Sequence, residues 1–211
     1  MGLIIRLITI LLIFELFWNC NSSKPKKSLE DIKVAYSNET TASEKYAKYA
    51  QAAMNEGFDT LAQLFTAVSK SERIHATNIG KVIEKFGVDG GNNEQGNFSV
   101  KSTAENLKEA IKSETFDMQT VYPGFIREAE QEKLPEIARS FTWAWESEKR
   151  HLKYFRKANS VIINGKETNL PFVWYVCSLC GGVYNKSDVK DKCEYCLTRQ
   201  ENFIGFVKQT E

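Results

Sequence analysis

The chain has 211 residues, enough for one well-buried domain of ordinary size plus a small second module. Its formal net charge is +1, and it lacks the concentrated basic surface that nucleic-acid binding requires, so polyanions are excluded as partners. Ala, Glu, Lys and Leu are abundant before residue 160 and prolines are few, which favours helices there.

Residues 1–20 read as a signal peptide. Residues 3–18 are almost wholly apolar, interrupted by Arg6, Thr9 and Glu15, and lead to Cys20 and a polar tether. The run is short for a membrane span, which takes roughly 20 residues, and suits the apolar core of an export signal. Cys20 stands where a bacterial lipoprotein signal carries its acylated cysteine, with Phe17, Trp18 and Asn19 in place of the usual small residues. The expectation is an exported protein, membrane-anchored through its N-terminus or periplasmic. An uncleaved anchor and a cytoplasmic protein are the alternatives.

Apolar residues at helical spacing predict four amphipathic helices, over residues 29–56, 59–86, 103–131 and 135–158. Gly57 divides the first two into an antiparallel hairpin. Residues 87–96, rich in Gly and Asn, read as a flexible crossover. Ser102 and Glu105 have the spacing of a capping box, and Pro123 is expected to bend the third helix. Together, residues 28–160 form two helical hairpins joined by one long connection. Beyond residue 160, the stretches 161–165 and 172–176 hold strand-forming residues beside turn signals. A second module begins near Pro171 and spans residues 171–211, too small to hold a core unaided.

The chain has two histidines, and both occupy the same frame: Glu72-Arg-Ile-His75 and Glu148-Lys-Arg-His151. Residues three apart lie on one helical face, so each pair can offer a carboxylate and an imidazole to one metal ion. Helical spacing threads further acids into apolar stripes: Glu39 with Ile32, Ala35, Tyr46, Ala50 and Ala53; Glu114 with Leu107, Ile111, Met118, Val121 and Phe125. Glu44 faces the opposite, polar side of its helix, and Asp117 lies close beside Glu114. Burying isolated carboxylates costs several kcal/mol each, so four on one core need compensating cations. Oxygen-rich sites with one imidazole per metal suit iron or manganese, whereas structural zinc more often recruits thiolates. The competing reading makes each acid a boundary side chain and each histidine a satisfied core residue. The matched registers of the two pairs argue against it.

Cys177-Ser-Leu-Cys180 and Cys193-Glu-Tyr-Cys196 form two Cys-x-x-Cys knuckles within the second module. Two such knuckles complete a tetrahedral sulfur cage for one metal, iron or zinc; disulfides are the alternative for an exported chain.

From residue 28 onward these features resemble rubrerythrin. The resemblance rests on the segment from Ala35 to Glu39 with Tyr46 following, on both Glu-x-x-His pairs, on the run from Thr103 to Glu114 continuing to Val121-Tyr122-Pro123, and on the paired knuckles. It implies a mostly α fold: a ferritin-like four-helix bundle followed by a rubredoxin-like domain. It implies two iron ions held by Glu39, Glu72, Glu114, Glu148, His75 and His151, and one in Cys177, Cys180, Cys193 and Cys196, with Tyr46 and Tyr122 bonded to the ligand shell. Asp117 stands where the family has a glutamate, one methylene longer, that exchanges with a histidine on one iron. The resemblance further implies a peroxidase that reduces hydrogen peroxide, fed by a rubredoxin or an NAD(P)H-linked flavoprotein reductase. It implies a homodimer in which the sulfur module of one subunit serves the other. A ferroxidase or iron-storage protein, and a zinc-binding scaffold without turnover, are the rival readings.

Overall fold

The computed structural model describes residues 26–89, 96–163 and 170–206. The expected signal segment, the middle of the crossover and the last residues of the second module lie outside the described residues. Helix α1 (Lys27–Asn55) and helix α2 (Asp59–Lys85) form the first hairpin. Gly57 makes the turn with φ +82°, a left-handed conformation that favours glycine. The two helices are cross-linked halfway along, where Ser43 Oγ donates to Ser69 O at 3.0 Å and Ser69 Oγ to Ser43 O at 2.7 Å.

The second hairpin contains helix α3 (Thr103–Phe116), a wide π turn (Asp117–Val121), helix α4 (Tyr122–Gln131) and helix α5 (Pro135–Ile163). The expected capping box of Ser102 and Glu105 is present. Glu132, in the turn between α4 and α5, reaches across to the start of α1 and accepts from the backbone amides of Lys27 (2.6 Å) and Ser28 (3.1 Å). Orphan amides at a helix start are thus satisfied from another element. No helix among the described residues is long and apolar enough to cross a membrane.

Two sequence expectations need correction. Ahead of Pro123 the chain forms a π turn, in which the Tyr122 amide donates to Asp117 O, five residues back. An unbroken α-helix would turn Tyr122 about 80° away from Glu114 over eight residues; the extra residue in the wide turn brings that to roughly 20°. The buried face therefore runs from Glu114 to Tyr122 and Ala129, while Met118, Val121 and Phe125 are only partly buried. The second correction concerns residues 161–163, which continue α5 instead of opening a strand. Val161 and Ile162 pack against the bundle core, and that burial overrides their β preference.

Strands β1 (Trp174–Cys177), β2 (Val183–Asn185) and β3 (Phe203–Phe206) form an antiparallel sheet in the order β2–β1–β3. Trp174, Val176 and Val183 join the same core as Phe65, Tyr154 and Phe155 of the bundle. Trp174 meets Tyr154 edge-on, ring centres 4.8 Å apart. The small module thus borrows its core from the helices.

Candidate metal centres

The six acids and histidines singled out in α1, α2, α3 and α5 meet in the interior, between one apolar cluster around Tyr46, Phe65 and Phe155 and another around Tyr122 and Phe141. None is more than 4% exposed, which places every one of them in the desolvated core. They form two nests. In the first, His75 Nδ1 lies 3.0 Å from Glu72 Oε2, 3.3 Å from Glu39 Oε2 and 3.7 Å from Glu148 Oε1. In the second, His151 Nδ1 lies 3.2 Å from Glu148 Oε2, 3.4 Å from Glu72 Oε1 and 3.4 Å from Glu114 Oε2.

Glu72 and Glu148 thus each divide their two oxygens between the nests, whereas Glu39 serves only the first and Glu114 only the second. The outer oxygens of these last two are held by tyrosines: Tyr122 OH donates to Glu39 Oε1 and Tyr46 OH to Glu114 Oε1. The π turn allows the first of these bonds by returning Tyr122 to the Glu114 face.

The donor set suits a pair of cations. Glu114 Oε2 is buried without a hydrogen-bond partner among the described residues, an orphan that a metal would satisfy. A cavity of about 20 Å³ opens among Glu39, Glu72, Glu114, Asp117, Tyr122 and Glu148. Asp117 borders it but belongs to neither nest.

Without cations these groups share protons. Burial and the neighbouring Glu72 carboxylate raise Glu39 well above the carboxylate range, and burial with the Glu114 and Glu72 charges does the same for Glu148. Burial would also raise Glu72, but the imidazoles of His151 and His75 hold it well below its ordinary value. Burial opposes charge on His151, and the Glu72 and Glu148 carboxylates outweigh it, raising that imidazole well above its usual value.

The raised groups bind more protons folded than unfolded, so their contribution to stability is complete below their unfolded values and lost as pH rises toward the folded ones. Glu72, lowered, acts oppositely, but its contribution is already complete above its ordinary value of 4.5. The metal-free protein should therefore lose stability as pH rises from about 5 to 8. Loading divalent metal at neutral pH should release protons, which calorimetric titration in buffers of differing ionisation enthalpy would measure. Equal heats in all buffers would contradict this.

The second centre is the sulfur cage. Cys177, Cys180 and Cys193 are buried and Cys196 partly so; none of the four is in a disulfide. Sγ atoms are 3.4 Å apart for Cys177 and Cys196 and 3.3 Å for Cys180 and Cys193, and all four lie within 4.8 Å of one another. A tetrahedral site with metal–sulfur bonds of about 2.3 Å has edges of about 3.8 Å, so this cage is close to that size. Contacts with Cys177 and Cys193 raise the Cys180 thiol, and contacts with Cys177 and Cys180 hold Cys193 far below its ordinary value.

The first knuckle rests directly on the nests. Ser71 Oγ donates to Gly181 O at 2.6 Å and Asn78 Nδ2 to Leu179 O at 2.6 Å. Gly181 has φ +83°, and a Cβ there would overlap the His75 ring and stand 3.1 Å from Ser71 O. From α5, Arg150 bonds Glu194 and, at 2.6 Å, Tyr195 OH, while its guanidinium lies 4.2 Å from the centre of the Tyr184 ring. Tyr154 OH donates to Asp188 at 2.7 Å. Within this chain the module seats on the bundle through these contacts. Sequence reasoning passed over Ser71, Arg150 and Gly181; only Ser71 left a signal, since Ser-Glu-x-x-His occurs at both pairs.

Fold and site together define a helical bundle with two carboxylate–histidine nests that would hold a pair of metal ions, carrying a four-cysteine module, and comparison with known proteins agrees. The family profile described as Rubrerythrin matches residues 30–159. The chain is 28% identical to Rubrerythrin-2 of Clostridium acetobutylicum over 88% of its own length and 100% of the relative's. It is 32% identical to a protein of Methanocaldococcus jannaschii described as a rubrerythrin, covering 84% and 92% of the two chains. The solved structure of fully reduced, all-ferrous nigerythrin superposes with a TM-score of 0.75 at 26% identity, covering 88% of this chain and 89% of that one. The chain belongs to the rubrerythrin family of di-iron proteins.

Proposed function

We propose that this protein reduces hydrogen peroxide to water. The observation that carries the reading is the division of Glu72 and Glu148 between two histidine-bearing nests, with a thiolate knuckle packed on the same helix. Two iron ions bound there would supply the two electrons that cleavage of the O–O bond takes, and a third in the four thiolates would return electrons singly. The balance is H2O2 plus two electrons plus two protons, giving two waters.

The chain's own residues position and protonate. Tyr46 and Tyr122 hold the outer oxygens of Glu114 and Glu39, so that the inner oxygens stay aimed into the nests. In the metal-free chain burial and the Glu114 and Glu72 charges push Asp117 up to about 7, which suits a group that exchanges a proton at the cavity wall near neutral pH. Its place outside the nests favours proton handling over metal ligation.

The external donor is a small redox protein such as a rubredoxin, or an NAD(P)H-linked flavoprotein reductase. By family likeness the working form is a homodimer; export rests instead on the apolar N-terminal segment ending at Cys20, read as a signal. The test is an assay of anaerobically prepared, iron-loaded protein with a reduced rubredoxin donor. The reading requires two donor electrons per peroxide consumed and the visible absorption of a ferric tetrathiolate. Rapid oxidation of added Fe(II) by oxygen with no peroxide turnover would make it a ferroxidase instead, and a colourless, zinc-filled sulfur cage would overturn the relay.

A further inference from the structure

A single hydroxyl touches both centres. Ser71 is completely buried, and its Oγ lies 2.6 Å from Gly181 O, 3.0 Å from His151 Nε2 and 3.4 Å from His75 Nε2. A hydroxyl has one proton, and a carbonyl oxygen can only accept. The Ser71 proton therefore goes to Gly181, its nearest neighbour. What remains facing the rings is lone pairs, so each ring nitrogen on this side has to bring its own hydrogen. That assignment leaves Nδ1, on the carboxylate side of both rings, free for a metal ion.

We propose that Ser71 is a positioning residue that sets both histidines in the metal-binding tautomer and links that tautomer to docking of the first knuckle. The inference rests on the dinuclear reading above but not on peroxide as substrate. If the knuckle lifts away, the hydroxyl loses its obligatory acceptor and can donate to a ring nitrogen, which favours the wrong tautomer. Metal affinity in the bundle is thereby tied to the seating of the sulfur module.

The two Ser-Glu-x-x-His segments are alike in sequence but not in use. Ser147, before Glu148, is equally buried, yet its hydroxyl has no hydrogen-bond partner among the described residues. Among the described residues the module approaches the Ser71 side through Gly181, so Ser147 is a built-in control.

With two histidines in the chain, an imidazole nitrogen–proton correlation spectrum shows only two rings. The experiment uses full-length protein loaded with zinc, which is diamagnetic. In the wild type both rings should carry hydrogen on Nε2 and metal on Nδ1. Ser71→Ala should speed exchange of the His151 Nε2 hydrogen with water at least tenfold and weaken zinc binding in the bundle by roughly 10–100-fold. Ser71→Thr should restore both properties, and Ser147→Ala should alter neither.

A loaded wild type with hydrogen on Nδ1 of either ring, or a Ser71→Ala protein indistinguishable from wild type, would overturn the proposal. If Ser71→Ala fails to fold, the wild-type spectrum and Ser71→Thr still decide. A bundle that takes up no metal would overturn the inference along with the centre beneath it. A protein that binds metal but ignores peroxide would leave it standing.

Discussion

Glu148→Gln is expected to abolish metal binding in both nests, although it changes one atom of one side chain. Glu148 Oε1 faces His75 and Oε2 faces His151, so its loss removes a ligand from each position. The metal-free variant should be about as stable as the metal-free wild type. Burial and the Glu114 and Glu72 charges already favour the protonated form of Glu148 there, and an amide is close in size and charge to a protonated carboxyl.

The difference should emerge on loading. Metal at about 1,000 times its dissociation constant stabilises a folded protein by roughly 4 kcal/mol per site. For a chain of this size that raises the melting temperature by roughly 8–16 °C per site. The wild type should show this rise, and Glu148→Gln little of it. Glu39→Gln touches only the first nest and should keep one metal ion in the bundle. Calorimetry with metal analysis checks both variants; equal losses from Glu39→Gln and Glu148→Gln would refute the division of roles.

The second large effect is expected from Gly181→Ala. The substitution places a methyl group in left-handed backbone, at roughly 1–2 kcal/mol, and drives it into the His75 ring. The knuckle has to lift, which breaks the bonds from Ser71 and Asn78. Return of electrons from the thiolate iron to the bundle should slow at least tenfold, while the visible absorption of the thiolate iron persists. Gly57→Ala is the matched comparison: its φ is +82°, but nothing lies within 4 Å of the added Cβ. That variant should lose about 1 kcal/mol of stability and no electron-transfer rate. Stopped-flow absorbance and thermal melts separate the two; equal behaviour would mean that close packing on His75 is irrelevant.

Much of this centre was legible because histidine is scarce and helical spacing is strict. Two histidines in one frame fixed the metal-binding faces of α2 and α5, and the apolar stripe of α1 oriented Glu39 inward. Spacing could not distinguish the shared acids, Glu72 and Glu148, from the unshared ones, since that depends on where four helices meet. Tyr122 was named by family likeness alone. On periodicity, Val121 held its place, and only the wide turn before Pro123 brings Tyr122 round to Glu39. Family likeness put Asp117 where a longer acid binds iron; its short side chain at the start of that turn borders the cavity without joining a nest.

The end of α5 shows the limit of local preference, because Val161 and Ile162 read as strand formers until the bundle core offers them burial. Docking of the sulfur module was the least visible feature. Arg150, Asp188 and Gly181 are ordinary residues in sequence and acquire their roles only when the module folds back onto α2 and α5.

The central claim is that buried carboxylates converge because two cations share them. Native mass spectrometry of the anaerobically loaded full chain, backed by elemental analysis, tests it most directly. The account predicts three metal ions per chain, with one remaining when the bundle is disabled by Glu148→Gln. A wild-type chain that fills its four thiolates and takes no metal, or only one ion, into the bundle would contradict it.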